Sequence, residues 1–359
     1  MELGITGLPL TGKTTLFNAL TGESVVTGSY SAGQDAHRAV VKVPDARLDV
    51  LTRMFMPRRT VPADVRYVDV AGIVKGGTSA SRASLLSALR TVDALIHVVR
   101  AFRSETVAEP EGGIDPARDI ADFDLELALS DLETVERRLE RLEKEVRSGR
   151  HEGEREVAVL RRCHEALGAE TPLRSLDFTP EEARLIRGFQ FLTLKPMILV
   201  VNVGEGQRDE ADRIAAELAP FAKRPHVELA ILCAELEMEI AQLDEADQPA
   251  FLADLGIDEP ALHRLIRLSY HLLDLVSFFT VGSDEVRAWT LTRGETALDA
   301  AGTIHTDLAR GFIRAEVTSY EDLTGRGSLA AAREHGLLRL EGKGYVVQDG
   351  DVITIRFNI

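Results

Sequence analysis

The segment GLPLTGKTTLFNALTG, residues 7–22, constrains the fold more than any other part of the chain. It carries the spacing G-x-x-x-x-G-K-[ST], with Gly7, Gly12, Lys13 and Thr14 at the fixed positions. A short apolar run, residues 3–6, precedes the loop, and apolar residues recur at helical spacing after it. This order of strand, loop and helix is the one that a phosphate-binding loop requires. The alternative is a chance match in a glycine-rich turn.

The residue types in this loop suit a bound polyphosphate. Glycines let successive backbone N–H groups turn toward an anion, and the start of the helix adds the positive end of its dipole. Lys13 would reach the β- and γ-phosphates, and the Thr14 hydroxyl would ligate Mg²⁺. The segment therefore predicts a site for a magnesium-bound nucleotide.

Length and composition limit the class of protein. A chain of 359 residues with 45% hydrophobic content can bury a large core, so we expect two or three domains. We see no apolar run as long as a membrane span and no signal-peptide layout. The two cysteines, Cys163 and Cys233, give no disulfide framework, which fits a reducing compartment. We expect a cytoplasmic protein without membrane contact.

The net charge of −16 argues against a protein that coats nucleic acid non-specifically. A local basic patch that meets RNA stays possible, although such clusters are more often solvated faces. The candidates form three groups: Arg53, Arg58 and Arg59; Arg137, Arg138, Arg141 and Lys144; and Arg287, Arg293, Arg310 and Arg314.

The pattern of apolar runs predicts an α/β protein whose sheet is interrupted. Apolar, β-branched runs typical of buried parallel strands cover residues 39–43, 65–70 and 94–99. Two further runs, 197–202 and 227–234, come much later. The gap between the two groups indicates an insertion.

The insertion has the pattern of a helical hairpin. Apolar residues spaced by three and four predict the seam of a coiled coil: Leu125, Ala128, Leu132, Val135, Leu139, Leu142 and Val146. A polar turn at 148–154 and a second apolar stripe follow, which together predict two antiparallel helices. From about residue 278 the pattern changes to strands around one helix. The predicted domains are a nucleotide-binding domain (1–120 and 180–275), the hairpin (121–179) and a small α+β domain (276–359).

A second nucleotide motif follows the strand at 65–70. Asp69 would hold Mg²⁺ through water, and Gly72 completes a D-x-x-G pattern. In Ras-like enzymes the next residue is a glutamine that orients the attacking water. Here it is Ile73, whose aliphatic side chain cannot donate or accept a hydrogen bond.

The segment that would read the base is Asn202-Val203-Gly204-Glu205. A guanine-specific enzyme has N-K-x-D here, with an aspartate that accepts two hydrogen bonds from the base. The lysine is absent and the carboxylate belongs to the longer Glu205. A buried carboxylate that faces adenine would be unpaired, at a cost of roughly a few kcal/mol. ATP and a relaxed guanine site both stay open.

Five segments resemble the YchF, or Obg-like ATPase, family: GLPLTGKTTLFNALTG, DVAGIVKG, NVGE, LCAELEMEIAQLDE and residues 285–323. The resemblance covers nearly the whole chain. It implies a Ras-like P-loop domain interrupted by a coiled-coil domain, then a C-terminal TGS domain of β-grasp type. It also implies a preference for ATP, N-x-x-E in place of N-K-x-D, and association with ribosomes. We expect the chain to be a monomer.

The resemblance also implies the residues of the site. The nucleotide would contact Leu10, Thr11, Gly12, Lys13, Thr14, Thr15, Gly72, Asn202, Val203, Glu205, Cys233 and Ala234. The Mg²⁺ ligands would be Thr14 and Asp69, and the catalytic residues would be Lys13, Asp69 and Glu109.

Three segments depart from the family pattern. The first switch normally offers Mg²⁺ a threonine, but Gly33 or Gln34 stands there, with Thr27, Ser29 or Ser31 as substitutes. The second switch, VKGGTSASRAS, lacks the usual glycines. A histidine proposed to assist hydrolysis is replaced by Glu109, which could act as a base but would also repel polyphosphate.

The leading hypothesis is a slow Mg·ATPase whose switches signal the bound nucleotide to a ribosome. The alternatives are a nucleotide-binding module with negligible hydrolysis and a GTPase. Two histidines are assigned to the scaffold: we expect His97 to be a hydrogen-bonded core residue and His305 to have a packing role.

Overall fold

The computed structural model describes residues 1–22, 37–70, 79–147, 153–244 and 246–358. The strands are β1 (Glu2–Thr6), β2 (His37–Lys42), β3 (Arg59–Val61), β4 (Asp64–Asp69), β5 (Ala94–Arg100), β6 (Met197–Asn202), β7 (Val227–Leu232), β8 (Leu275–Thr280), β9 (Glu285–Thr292), β10 (Phe312–Ser319), β11 (Arg339–Glu341) and β12 (Asp351–Phe357). The helices are α1 (Lys13–Thr21), α2 (Ala46–Phe55), α3 (Ser79–Thr91), α4 (Pro116–Arg147), α5 (Glu154–Gly168), α6 (Pro180–Ile186), α7 (Ala211–Ala222), α8 (Ala234–Gln242), α9 (Gln248–Asp254), α10 (Ala261–Leu272), α11 (Ala297–Ile304), α12 (Thr306–Arg310), α13 (Tyr320–Arg326) and α14 (Leu329–Glu334). No helix in these ranges is long and apolar enough to span a membrane.

The first sheet has the order β2-β4-β1-β5-β6-β7, and its pairs from β4 to β7 are parallel. The α/β prediction is confirmed. Every residue of β5 and β6 is buried, as expected for strands covered by helices on both faces. β4 pairs with β1 on one side and β5 pairs with it on the other, all in parallel. The carboxyl ends of these three strands therefore lie at one edge of the sheet, where such sheets bind ligands.

The chain forms two compact units that differ from the three predicted domains. One comprises residues 1–39 and 66–265, and the other comprises 40–65 and 266–359. Residues 40–65 belong with the C-terminal region because β3 pairs in parallel with β9. In addition, Arg47 binds both Asp45 and Asp349, each at 2.8 Å. The hairpin belongs to the first unit.

The first helix of the hairpin has two functions. It begins at Pro116, before the predicted insertion, because Ile120, Phe123 and Leu127 pack into the core of the first sheet. Beyond that point its apolar residues pack against α5, and Arg138 forms an ion pair with Glu156. Leu125, predicted to lie on the seam, is 42% exposed. It lies on a face of the helix that packs neither into the core of the first sheet nor against α5.

A buried carboxylate fixes α4 to the rest of its unit. Asp131 is fully buried and accepts hydrogen bonds from the backbone N–H groups of Leu192 and Thr193 at 3.0 and 2.7 Å. Arg90 donates to the same carboxylate at 3.1 Å. Burial raises the pKa of Asp131, and the hydrogen bonds oppose that rise. These hydrogen bonds of Asp131 thus hold α4 in place where its coiled-coil half begins.

The second sheet has the order β11-β10-β12-β8-β9-β3. The parallel pair β8–β12 lies between antiparallel pairs, and α11 packs on one face, which is the expected β-grasp arrangement. The predicted helix there is broken at His305. This residue is exposed, and its Nδ1 accepts the backbone N–H of Asp307 at 3.2 Å, so it caps α12. The packing role expected for it is wrong.

Candidate functional site

The loop between β1 and α1 has a backbone that only glycine can supply at two positions. Gly7 and Gly12 have φ angles of 145° and 91°. A Cβ atom at Gly7 would lie 2.4 Å from the carbonyl oxygen of Val98, and one at Gly12 would lie 2.3 Å from Asn202 Nδ2. The spacing of the two glycines is therefore a structural requirement of the loop.

The start of α1 is open to an anion. Gly12 is its N-cap, and no side chain caps it, so the first backbone N–H groups of the helix are available. Lys13 is buried within the loop and its Nζ donates to the carbonyl of Leu8 at 2.6 Å. Leu10 lies at the exposed tip, while Thr14 and Thr15 are half-buried. The geometry is that of a phosphate cradle.

The two predicted metal ligands lie together. The hydroxyl of Thr14 donates to Asp69 Oδ2 at 3.4 Å, and Asp69 is fully buried at the end of β4. Hydroxyl and carboxylate oxygens are ligands that Mg²⁺ accepts, and this ion usually takes its remaining ligands from water and phosphate. Within the described ranges no group of three or more histidine, cysteine or acidic side chains could hold a metal alone. The residues present fit Mg²⁺ bound together with a nucleotide.

Burial controls two titratable groups beside the loop. It lowers the pKa of Lys13 to about 8, against an opposing effect of Asp69. Burial, followed by the charges of Lys13 and Arg174, lowers the pKa of His97 to about 3. His97 is therefore neutral and stacks on Phe123, with ring centroids 4.0 Å apart. Neither of its ring nitrogens has a hydrogen-bond partner in the described part of the chain, contrary to expectation.

Asn202 joins three loops at the carboxyl edge of the sheet. Its Nδ2 donates to the Thr11 carbonyl at 3.0 Å, and its Oδ1 accepts the N–H of Ala234 at 2.9 Å. Its own carbonyl accepts the N–H groups of Ala101 and Phe102. The side chain is 4% exposed. Asn202, predicted to contact the base, therefore acts here as a clip between the P-loop and its neighbours.

The other residues predicted to contact the base differ in exposure. Val203, Cys233 and Ala234 are buried, whereas Glu205 is exposed. Burial raises the pKa of the Cys233 thiol, against the opposing effect of hydrogen bonds from the backbone N–H groups of Leu236 and Glu235. A cavity of about 200 Å³ borders Val203 and Cys233 and extends to Arg264.

Glu109 lies in the loop after β5, whose fold depends on residues that no sequence motif marks. Glu109 is exposed and forms no hydrogen bond within the described residues; its charge acts on Arg100. Arg100 is buried and donates to three carbonyls of the same loop. Phe102 lies over the P-loop, because its Cε1 would be 4.0 Å from a Cβ at Gly12. The available signal was an arginine at the end of the apolar run ALIHVVR.

Several predictions fall outside the described residues. These are Gly72, Ile73, the whole first switch (Thr27, Ser29, Ser31, Gly33 and Gln34) and the first part of the second switch.

Comparison with known proteins identifies the family of this chain. Residues 275–358 match a family model named YchF-GTPase_C and described as "Protein of unknown function (DUF933)", and residues 2–138 match one described as "50S ribosome-binding GTPase". The "Ribosome-binding ATPase YchF" of Bacillus subtilis (strain 168) is 43% identical over the full length of both chains. The chain belongs to the YchF family. The protein of the same name from Escherichia coli O157:H7 is 41% identical, over 100% of this chain and 99% of that one.

A solved YchF structure confirms the fold over the whole chain. The Schizosaccharomyces pombe "YchF GTPase" superposes with a TM-score of 0.87 at 32% identity, covering 99% of this chain and 97% of that one. The names of these YchF proteins disagree on the nucleotide, since the bacterial ones are called ATPases and the yeast one a GTPase.

The three candidate basic patches are largely neutralised. Each contains cations that are paired with nearby carboxylates, namely Arg59 with Glu285, Arg138 with Glu156, Lys144 with Glu140, and Arg293 with Asp274. These charges compensate one another locally, so none of the three groups is assigned to RNA.

The Asn202 clip can be tested with Asn202→Asp. The carboxylate keeps an acceptor for Ala234 but loses the donor to Thr11 and places negative charge against that carbonyl. We expect the free energy of unfolding to fall by about 3 kcal/mol, measured by urea denaturation. Gln207→Glu is the matched control, because Gln207 only accepts the Gly204 N–H. Equal losses in the two variants would contradict the clip.

The pKa of Lys13 predicts a pH dependence of nucleotide binding. Lys13 must be protonated to bind phosphate, so above its pKa of about 8 binding also requires proton uptake. We expect the Kd of Mg·ATP to be flat below pH 7.5 and to rise up to about tenfold per pH unit between pH 8.5 and 9.5. Lys13→Arg, which stays charged, would show no such rise. Titration calorimetry measures this, and a flat wild-type profile would exclude Lys13 as the titrating group.

Proposed function

We propose that the chain is a cytosolic P-loop ATPase that binds Mg·ATP, hydrolyses it slowly and reports its nucleotide state to the ribosome. The observation that carries this is the juxtaposition of the glycine cradle, Lys13, and the Thr14–Asp69 pair at one edge of the sheet. The ribosome enters the proposal through the names of relatives that share its full length. A monomer stays a prediction.

The residues would act by binding and electrostatics. The N–H groups at the start of α1 and the Lys13 ammonium would hold the phosphates. Thr14 and Asp69 would hold Mg²⁺, which neutralises charge on the β- and γ-phosphates when it is bound. The neutral His97 lies beneath the loop and adds no charge to it. This arrangement favours transfer of a phosphoryl group to water, provided that a side chain orients that water.

Glu109 is the residue that we propose to orient the attacking water and accept its proton. Its exposed carboxylate could act as a general base toward that water. Its loop begins beside the P-loop at Phe102. The competing function is a nucleotide sensor with negligible hydrolysis, which the altered switch segments and the absence of the family histidine favour.

Single-turnover hydrolysis of Mg·ATP separates these two functions. We expect slow turnover by the wild type, loss of nucleotide binding in Lys13→Ala, and a loss of about 100-fold in rate for Glu109→Gln with ATP affinity unchanged. Glu105→Gln and Lys42→Ala, both at exposed sites, are the matched controls. Bound but intact ATP in the wild type would establish the sensor, and unchanged affinity in Lys13→Ala would refute the site.

A second experiment tests the nucleotide and the partner together. We expect purified ribosomes to pellet more of the protein with a non-hydrolysable ATP analogue than with ADP, because the γ-phosphate orders the switch segments of such proteins. The corresponding GTP analogue should have a weaker effect. Stronger retention with the GTP analogue would favour the GTPase alternative. Equal retention with and without any nucleotide would contradict the switch.

A further inference from the structure

Arg100 is a buried cation without a paired anion. It ends the central strand β5 and is only 2% exposed, although a buried guanidinium normally has a carboxylate partner. Within the described part of the chain its acceptors are backbone carbonyls, and no carboxylate forms an ion pair with it. Burying this charge without an anion costs free energy. We therefore expect the loop geometry that Arg100 imposes to be useful.

The three acceptors of Arg100 belong to one loop. Its Nε donates to the Phe102 carbonyl at 3.2 Å, and its two terminal nitrogens donate to Val107 and Ala108 at 3.1 and 2.8 Å. The guanidinium also lies 4.5 Å from the centroid of the Phe102 ring. The planar fork of arginine is suited to holding several acceptors at once. Arg100 thus ties both ends of this loop to the last residue of a rigid strand.

The two ends of the loop matter to the nucleotide site in different ways. At the first end, Phe102 lies between the P-loop and Gly204, within 4.0 Å and 3.7 Å of Cβ atoms built at Gly12 and Gly204. At the second end, the carbonyl of Ala108 is bound immediately before Glu109. Fixing Ala108 fixes the direction in which the Glu109 side chain leaves the backbone.

We propose that Arg100 is a positioning residue of the nucleotide site, which holds residues 102–108 folded so that Phe102 covers the P-loop and Glu109 faces the bound phosphate. This inference rests on the proposed function for the role of Glu109. It does not rest on that function for the fold of the loop, which the hydrogen bonds of Arg100 support by themselves.

The first test is hydrogen–deuterium exchange of the full chain without nucleotide. Arg100→Gln removes the fork, so we expect faster exchange over residues 102–109 and unchanged exchange over β6. Arg103→Gln, an exposed arginine of the same loop, is the matched control and should leave exchange unchanged. Unchanged exchange in Arg100→Gln overturns the inference, whatever the protein does with ATP.

The second test separates positioning from charge and from stability. A misplaced loop should lower kcat by about 10- to 100-fold in both Arg100→Gln and Arg100→Lys, since lysine keeps the charge but not the fork. Full activity in Arg100→Lys would assign the effect to charge and overturn the positioning role. Arg100→Lys also serves if Arg100→Gln fails to fold, and a melting curve monitors both.

A double mutant identifies the group through which Arg100 acts. If Arg100 works by placing Glu109, Arg100→Gln should slow hydrolysis no further once Glu109→Gln is present. Additive losses would contradict this link. If the wild type binds no ATP, the proposed function fails on its own, and the exchange result alone then supports or overturns the role of Arg100 in the loop.

Discussion

The site depends most on the two hydrogen bonds that the carboxamide of Asn202 forms. One buried side chain donates to the P-loop at Thr11 and accepts from the helix start at Ala234, while the backbone of the same residue holds the loop after β5. Three segments that are far apart in sequence thus share one residue. Only an amide has both the donor and the acceptor in these directions, and the close approach of its nitrogen explains why Gly12 has no room for a side chain.

Helix α4 likewise connects two parts of its unit. It packs into the sheet core at Phe123 and into the coiled coil at Val135. Asp131 lies between these two regions, and its bonds to the backbone of Leu192 and Thr193 fix the helix where its role changes. Phe123 also stacks on His97, which is the neighbour of Val98, whose carbonyl limits the space at Gly7. A continuous series of packed groups therefore runs from the phosphate loop to the base of the hairpin.

Local patterns in the sequence predicted what depends on local physics. The strand at 197–202 was predicted at its observed bounds, because five apolar residues followed by Asn202 satisfy both faces of a buried strand. The helix seam was right from Ala128 to Leu142 but wrong at Leu125, because a spacing of three and four does not tell which core a helix enters first. The grouping of residues 40–65 with the C-terminal sheet depends on β3 pairing with β9 and on Arg47 reaching Asp349, contacts that no local pattern encodes. Arg100 was missed for a similar reason, since its acceptors lie in a loop without a recognisable motif.

The exposure of Glu205 changes the argument about the base. If this carboxylate were buried, adenine would leave it unpaired at a cost in binding free energy. In the structure Glu205 is exposed, and a carboxylate that stays hydrated carries no such penalty. For the same reason it gains little from the donors of guanine, because water competes for it. We therefore expect Glu205 to select weakly between the two bases. In the proposed site, selection would depend instead on packing against the buried segments at Val203 and Cys233, where neither base would have a charged partner.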